Sequence, residues 1–362
     1  MSDELPVNEA PLEAPTGTIT ALGRSLGSVM EVGREILARR RVGVPGPPGS
    51  ANGLVALCEE LLEHRGEASG LALASDITKG YLLLSENCRM KFFDLLADKF
   101  EVDAQAVLDA AENYRENADL DNLAAITRAV EAPRQKLFRR LNMAPNGTST
   151  LVAMRGQLLQ VLREKPHLKA VDTDLKHLFI SWFNKGFLEM RRIDWSSPAM
   201  VLEKIIDYEA VHEINGWDDL RSRLREDRRC FAFFHPALEN DPLVFVEIAL
   251  TDDIPGAMAP LLLQEREAAM GERINTVVFY SISNCHAGLA GISFGNFLIK
   301  SVVEELKKEI STLKTFVTLS PVPGFRKWLS EADLTGLVDE GLIDKVKQPV
   351  GRVVEADVYD AQ

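Results

Sequence analysis

Three glycines and a serine carry the chemistry that spacing alone suggests. Gly288, Gly291 and Gly295 follow a strand-like run, Thr276-Val-Val-Phe-Tyr-Ser-Ile-Ser283. Asn296–Leu306 then reads as a helix and Thr315–Ser320 as a second strand, closed by Pro321-Val-Pro-Gly-Phe325. Strand, glycine turn, helix and strand together offer backbone amides and a helix N-terminus to a phosphate-bearing ligand. The same glycines equally suit a tight turn with close helix–strand packing. A dinucleotide site fits poorly, because the spacing is not G-x-G-x-x-G and no acidic residue stands at the required distance on a following strand. A P-loop is excluded by the absence of G-x-x-x-x-G-K-[ST].

Ser320 stands at a strand end directly before Pro321, which holds it extended, and Pro323-Gly324 turns the chain at once. By spacing alone, a turn serine bonded to its own backbone is the plainer reading. Cys285 reads as a small buried thiol rather than a nucleophile, since no base can be assigned to it. His286 beside it is the candidate base, although a loop histidine is ordinarily solvated. His235, before Pro236 at a strand end, is expected to make a structural hydrogen bond. His64, His167 and His177 fall in the helical half and read as surface or capping residues.

Longer segments are more specific than this layout. Phe279-Tyr-Ser-Ile-Ser-Asn-Cys285, Gly288-Leu-Ala-Gly-Ile-Ser-Phe-Gly-Asn-Phe-Leu-Ile-Lys300 and Thr318-Leu-Ser-Pro-Val-Pro-Gly-Phe325 closely resemble the malonyl-CoA decarboxylase family, bacterial type. So do Arg191-Arg-Ile-Asp-Trp195, Tyr208-Glu-Ala-Val-His212 and Asp227-Arg-Arg-Cys-Phe-Ala-Phe-Phe-His235. The resemblance covers roughly residues 50 to 330. It implies a helical N-terminal domain followed by a catalytic domain with the acetyltransferase (GNAT-like) fold, in which CoA pyrophosphate sits on the glycine loop before a helix. Malonyl-CoA and acetyl-CoA would be the ligands. The resemblance makes Ser320 the catalytic serine, and it assigns CoA or malonyl contacts to Ala290, Gly291, Ile292, Ser293, Phe294, Gly295 and Asn296. No metal or organic cofactor is implied, because the thioester carbonyl is itself the electron sink.

The chain also departs from the family pattern. The family generally carries glutamine at position 286, and acetyltransferases favour Gln or Arg in this loop, where Ala287 and Ala290 bring no long polar side chain. The family's proton-donating histidine belongs to a segment well past the Ser-Pro-x-Pro-Gly-Phe motif, and no histidine follows His286 here. A shortened chain, a frameshift or a natural paralogue would each read this way. The alternatives are therefore a catalytically impaired CoA-binding paralogue or a CoA-dependent N-acyltransferase.

A formal charge of −13 argues against a nucleic-acid partner but leaves room for an anionic ligand held by backbone amides. No apolar run reaches the roughly 18 residues of a membrane span, so no membrane partner is expected. The basic cluster Arg39-Arg-Arg41 reads as a solvated helix end rather than a membrane anchor. The N-terminus, with Asp3, Glu4, Glu9 and Glu13, is wrong for a secretory or organellar leader. Cys58, Cys88, Cys230 and Cys285 lack metal or disulfide spacing, and a cytoplasmic location is the expectation.

The elements that must position these residues divide the chain. Residues 1–50 form an N-terminal extension, with 1–18 disordered, a helix over 19–41 and a break at Pro45–Gly49. Residues 51–190 read as a helical domain. Its stripes are Leu54, Leu57, Cys58, Leu61 and Leu62; Phe92, Phe93, Leu96 and Phe100; Leu151, Met154, Leu158, Val161 and Leu162; and Leu175, Leu178, Phe179, Trp182 and Phe183. This domain is expected to join copies into a homo-oligomer, a dimer or tetramer. Residues 191–362 read as the catalytic domain. It begins with a helix started by Pro198, capped by Ser196 or Ser197, with Met200, Leu202, Ile205, Ile206 and Tyr208 on its inner face. Strands follow at Cys230–His235 and Leu243–Leu250, so apolar that both faces of the sheet need cover.

Overall fold

A computed structural model describes residues 29–33, 50–63, 66–262, 273–320, 322 and 324–332. The expectations for residues 1–18, for most of 19–41, for the 45–49 break, for His64 and for the tail past 332 lie outside the described residues. The described chain falls into two compact units. One runs up to Asn184 and also takes His286–Ile292; the other holds Lys185–Cys285 and the chain from Ser293 onward.

The first unit is helical: α1 (Ala51–Glu63), α2 (Glu67–Leu82), α3 (Glu86–Lys99), α4 (Ala104–Glu116), α5 (Leu120–Ala129), α6 (Pro133–Asn142), α7 (Gly147–Val161) and α8 (Lys169–Trp182). Local chemistry sets the starts. Asp103 accepts from the Gln105 and Ala106 amides at 3.0 and 3.2 Å, and Asp119 from that of Asn122 at 2.8 Å. Pro133 opens α6, where its missing N–H costs nothing. The core follows the leucine and phenylalanine stripes, with Leu54, Cys58, Leu61, Phe92, Phe93, Leu96, Leu151, Leu158, Leu175 and Phe179 buried. Leu57 and Leu62 are half-buried instead, and Val55 takes an inner place.

The second unit is built on one five-stranded sheet in chain order: β1 (Glu189–Ile193), β2 (Arg228–Phe234), β3 (Pro242–Thr251), β4 (Thr276–Asn284) and β5 (Thr315–Thr318). The first three pairings are antiparallel, while β4 and β5 are parallel. A parallel pair needs a crossover, supplied by α12 (Gly295–Glu309). Every position of β3 is buried. On one face α9 (Ala199–Tyr208) and α10 (Trp217–Arg223) bring Val201, Leu202, Ile205 and Leu220 onto Cys230, Ala232, Phe234 and Phe245. On another side, the short α11 (Ala259–Leu262) sets Leu261 against Ala249, Val278 and Tyr280. A last helix, α13 (Phe325–Glu331), follows β5.

A helical region followed by a mixed sheet domain is the architecture expected above. Details differ. Pro198 is itself the residue before α9, and Ser196 and Ser197 instead close a turn on Asp194, at 2.6 Å for the Ser196 hydroxyl and 3.1 Å from the Asp194 amide to Ser197 Oγ. Met200 is exposed, and Val201 takes the inner place. β4 is longer than its apolar run, and β5 stops at Thr318, short of Ser320.

Candidate functional site

The loop after β4 is built in two tight steps. Cys285 is buried, and burial pushes its thiol well above the usual range. His286 is extended and half-buried, its Nε2 shielded from solvent, unlike the solvated loop histidine expected. It leads into a 3₁₀ turn over Ala287–Leu289. A type II turn follows: the Ile292 amide donates to the Leu289 carbonyl at 3.0 Å, Ala290 has φ −54 and ψ 133, and Gly291 has φ +75. Only glycine adopts that third conformation without strain.

Gly288 has a different reason. A Cβ there would lie 1.9 Å from the Val152 carbonyl oxygen of α7. Its close approach therefore serves packing against helix backbone. Arg155, one turn further along α7 and 2% exposed, donates from Nη1 to the Gly288 and Ala290 carbonyls at 2.6 and 2.9 Å. Its Nε pairs with Asp172 at 2.8 Å. The loop is thus held by a buried guanidinium from the helical unit.

Of the residues singled out in the sequence, Ala290, Gly291 and Ile292 belong to this first unit. Ser293, Phe294, Gly295, Asn296 and Ser320 belong to the second. Phe294 is buried and precedes α12 without any side-chain cap, so the first amides of that helix keep their donor capacity. Gly295 and Asn296 open the helix, and Ser293 is exposed. Ser320 is exposed beyond the carboxyl end of β5. Thr318, the last residue of β5, pairs with Phe279, and β4 runs on to Asn284 before the chain reaches α12, which joins the two parallel strands.

The relationships of the whole chain accord with this layout. The model of the malonyl-CoA decarboxylase N-terminal domain matches residues 100–183, and that of the C-terminal domain matches 186–348. The mitochondrial malonyl-CoA decarboxylase of Rattus norvegicus is 35% identical over 336 residues, 84% of this chain and 68% of that protein. The chain belongs to the malonyl-CoA decarboxylase family. A goose relative, from Anser anser anser, is 40% identical over 230 residues, 62% of this chain. That match spans 46% of the goose protein, about half its length. Among solved structures, malonyl-CoA decarboxylase from Rhodopseudomonas palustris superposes with a TM-score of 0.77 at 50% identity, covering 86% of this chain and 78% of that one. The Agrobacterium vitis protein gives 0.74 at 53% identity, covering 77% and 68%.

Two segments that resemble this family meet in a buried polar cluster that sequence reasoning missed. Glu209, at the end of α9, accepts from Ser281 Oγ at 2.7 and 2.8 Å and from Ser283 Oγ at 3.0 Å. It also caps the Val211 and His212 amides, each at 2.8 Å. Beside it, Arg223 pairs with Glu247 at 2.9 Å and Asp219 at 3.2 Å, and donates to the His212 and Glu213 carbonyls at 3.1 and 3.2 Å. Burial pushes the Glu247 carboxyl up to about 8 against the pull of Arg223, and burial likewise holds His212 below the usual histidine range. A signal was present: serines at alternate positions of β4 and one carboxylate inside the apolar run of β3 mark polar contacts under the sheet. His235 accepts the Ala237 amide at 3.1 Å, His167 pairs with Asp94 at 2.9 Å, and His177 is exposed.

Proposed function

We propose that this chain binds malonyl-CoA and converts it to acetyl-CoA and carbon dioxide. The bond between the carboxylate and C2 breaks, carbon dioxide leaves, and the electron pair passes into the thioester as an enolate. A proton delivered to C2 completes acetyl-CoA. The thioester carbonyl accepts the charge, so hydrogen-bond donors aimed at its oxygen are the main requirement. The observation that carries this reading is the parallel β4–α12–β5 crossover in a chain of this family, with Ser320 exposed just beyond β5. In this reading Ser320 donates to the thioester or carboxylate oxygen, and the segment Ala290–Asn296 meets the CoA through exposed backbone and the α12 N-terminus.

Turnover is followed as acetyl-CoA formation coupled to citrate synthase. Ser320→Ala is expected to lower kcat about 10²–10³-fold, the usual cost of losing one oxyanion donor. Unchanged turnover in that variant would remove Ser320 from the chemistry. Binding of malonyl-CoA without turnover by the unaltered chain would favour the alternative, a CoA-binding member of the family. His286→Gln tests whether the shielded imidazole supplies the proton.

Self-association through the helical unit belongs to the same proposal. Leu108 and Leu120, Leu123 and Val130 are exposed on and just after the α4–α5 pair. Sedimentation should show a dimer or tetramer that Leu120→Glu with Leu123→Glu dissociates; an unchanged mass would discard this face. The four described thiols are all free, which suits a reducing cytoplasm.

A further inference from the structure

β5 is the last strand of the five-stranded sheet and pairs with β4 alone. The Thr315 and Leu319 amides donate to the Asn275 and Phe279 carbonyls at 3.0 and 2.9 Å. Alternation along the strand therefore points the Phe316 and Thr318 amides away from β4, and among the described residues no strand meets them. Burial thins in the same direction. Val277, Val278 and Phe279 of β4 are at most 2% exposed, whereas Phe316 and Val317 are half-buried and Thr318 is exposed. Val317 and Leu319 extend the cluster of Ala249, Val278 and Tyr280 on one face. On the other face Lys307 of α12 stands 5.1 Å from the centre of the Phe316 ring. The strand itself, Thr-Phe-Val-Thr, carries none of the charges or prolines that ordinarily keep an edge from pairing.

We propose that residues 352–359, which lie outside the described residues, add a further strand to this open side of β5. Val354-Glu-Ala-Asp-Val358 alternates apolar and acidic residues with the period of a strand. With Val354, Ala356 and Val358 on the face of Val317 and Leu319, the pairing completes the half-covered cluster. Glu355 and Asp357 then fall on the Phe316 face, where Lys307 supplies the opposite charge. The backbone of the segment meets the free amides of Phe316 and Thr318, the mode of recognition by strand addition. The link over residues 333–351 is long enough to return, since a chain of that length reaches up to roughly 60 Å when extended. The family's C-terminal domain model matches residues 186–348, so the added strand comes from sequence beyond that match. The inference stands apart from the CoA-binding reading.

Hydrogen exchange of the full chain, resolved to single residues by electron-transfer fragmentation, tests the pairing. In the unaltered chain the Phe316 and Thr318 amides should exchange as slowly as that of Val317, at rates independent of protein concentration. Ala356→Pro, which removes a donor and breaks the ladder, should speed both about tenfold, the worth of one hydrogen bond, and leave β3 as protected as before. Glu355→Lys with Asp357→Lys should act in the same direction more weakly, without altering the backbone. Free exchange of Phe316 and Thr318 in the unaltered chain overturns the proposal, and so does protection that Ala356→Pro leaves untouched. Protection that grows with protein concentration overturns it as well, by assigning the edge to a second copy of the chain.

Discussion

Each unit buries two arginines almost completely, and one from each, Arg155 and Arg223, does the same kind of work under different conditions. Arg155 in the helical unit and Arg223 in the sheet unit are 2% and 5% exposed. Each donates to two main-chain carbonyls of an irregular segment, Gly288 and Ala290 in one case and His212 and Glu213 in the other. The planar fork of five donors suits such carbonyls, which no regular ladder satisfies. The counter-charges differ. Arg155 has Asp172, whose side chain keeps 16% exposure. Arg223 has Asp219 and Glu247, at 10% and 1%. One guanidinium is anchored near water and the other sits in a closed charge cluster, so an identical substitution should be felt unequally.

Arg223→Met is the severest break. It leaves Glu247 and Asp219 without their guanidinium, and above about pH 8, where Glu247 is ionised, removing one partner of a buried pair costs roughly 3–5 kcal/mol. Arg155→Met strands two carbonyls beside a carboxylate that water can still reach, a loss of about 1–3 kcal/mol. Urea unfolding of both variants checks the order. Arg155→Met should also weaken acetyl-CoA binding more than its stability loss explains, because it frees the Gly288–Ala290 segment. Equal destabilisation would mean that solvent access at Asp172 does not matter.

The loop glycines sharpen the contrast between packing and turn geometry. Gly288→Ala drives a methyl into the Val152 carbonyl, a backbone atom that cannot step aside, so overpacking of about 1–3 kcal/mol is expected. Gly291→Ala meets only the end of Lys176, a mobile side chain, and adds the roughly 1 kcal/mol cost of a left-handed residue. Thermal unfolding should rank Gly288→Ala below Gly291→Ala. The reverse order would mean that turn strain outweighs the clash with the helix backbone.

Much of this fold was legible because hydrophobic periodicity reports burial. The stripes of α1, α3, α7 and α8 and the apolar runs of β2, β3 and β4 each became the element their spacing indicated. The exceptions have physical reasons. β1, with Glu189, Arg191 and Arg192, carries too much charge to look like a strand and exists by pairing with β2. α2 buries Gly70, Ala72, Ala74 and Ser75 beside Leu73, Ile77 and Tyr81, so small residues that allow close approach dilute its apolar stripe. At the site, the strand–loop–helix–strand order was readable from neighbouring residues. The grip of Arg155 on the loop and of Glu209 on Ser281 and Ser283 was not, because both join residues far apart in sequence.

The smallest effect separates the two arginine clusters by pH. Glu247 titrates near 8 in the folded chain, because its burial outweighs the attraction of Arg223, and near 4.3 when unfolded. A raised folded value means that the native state holds the proton more tightly. Its stabilising contribution is complete below the unfolded value and is lost as pH climbs through about 8. Glu247→Gln keeps an acceptor for Arg223 but has no proton to lose. Urea midpoints at pH 5, 7 and 9 should therefore fall more steeply for the wild type than for the variant. His212, held low by burial, acts in the opposite sense, lowering stability as the pH drops below the ordinary histidine range, and is present in both proteins. The difference between the two profiles consequently isolates Glu247. Parallel profiles for wild type and Glu247→Gln would mean that Arg223 keeps the carboxylate ionised throughout, against the pull of burial.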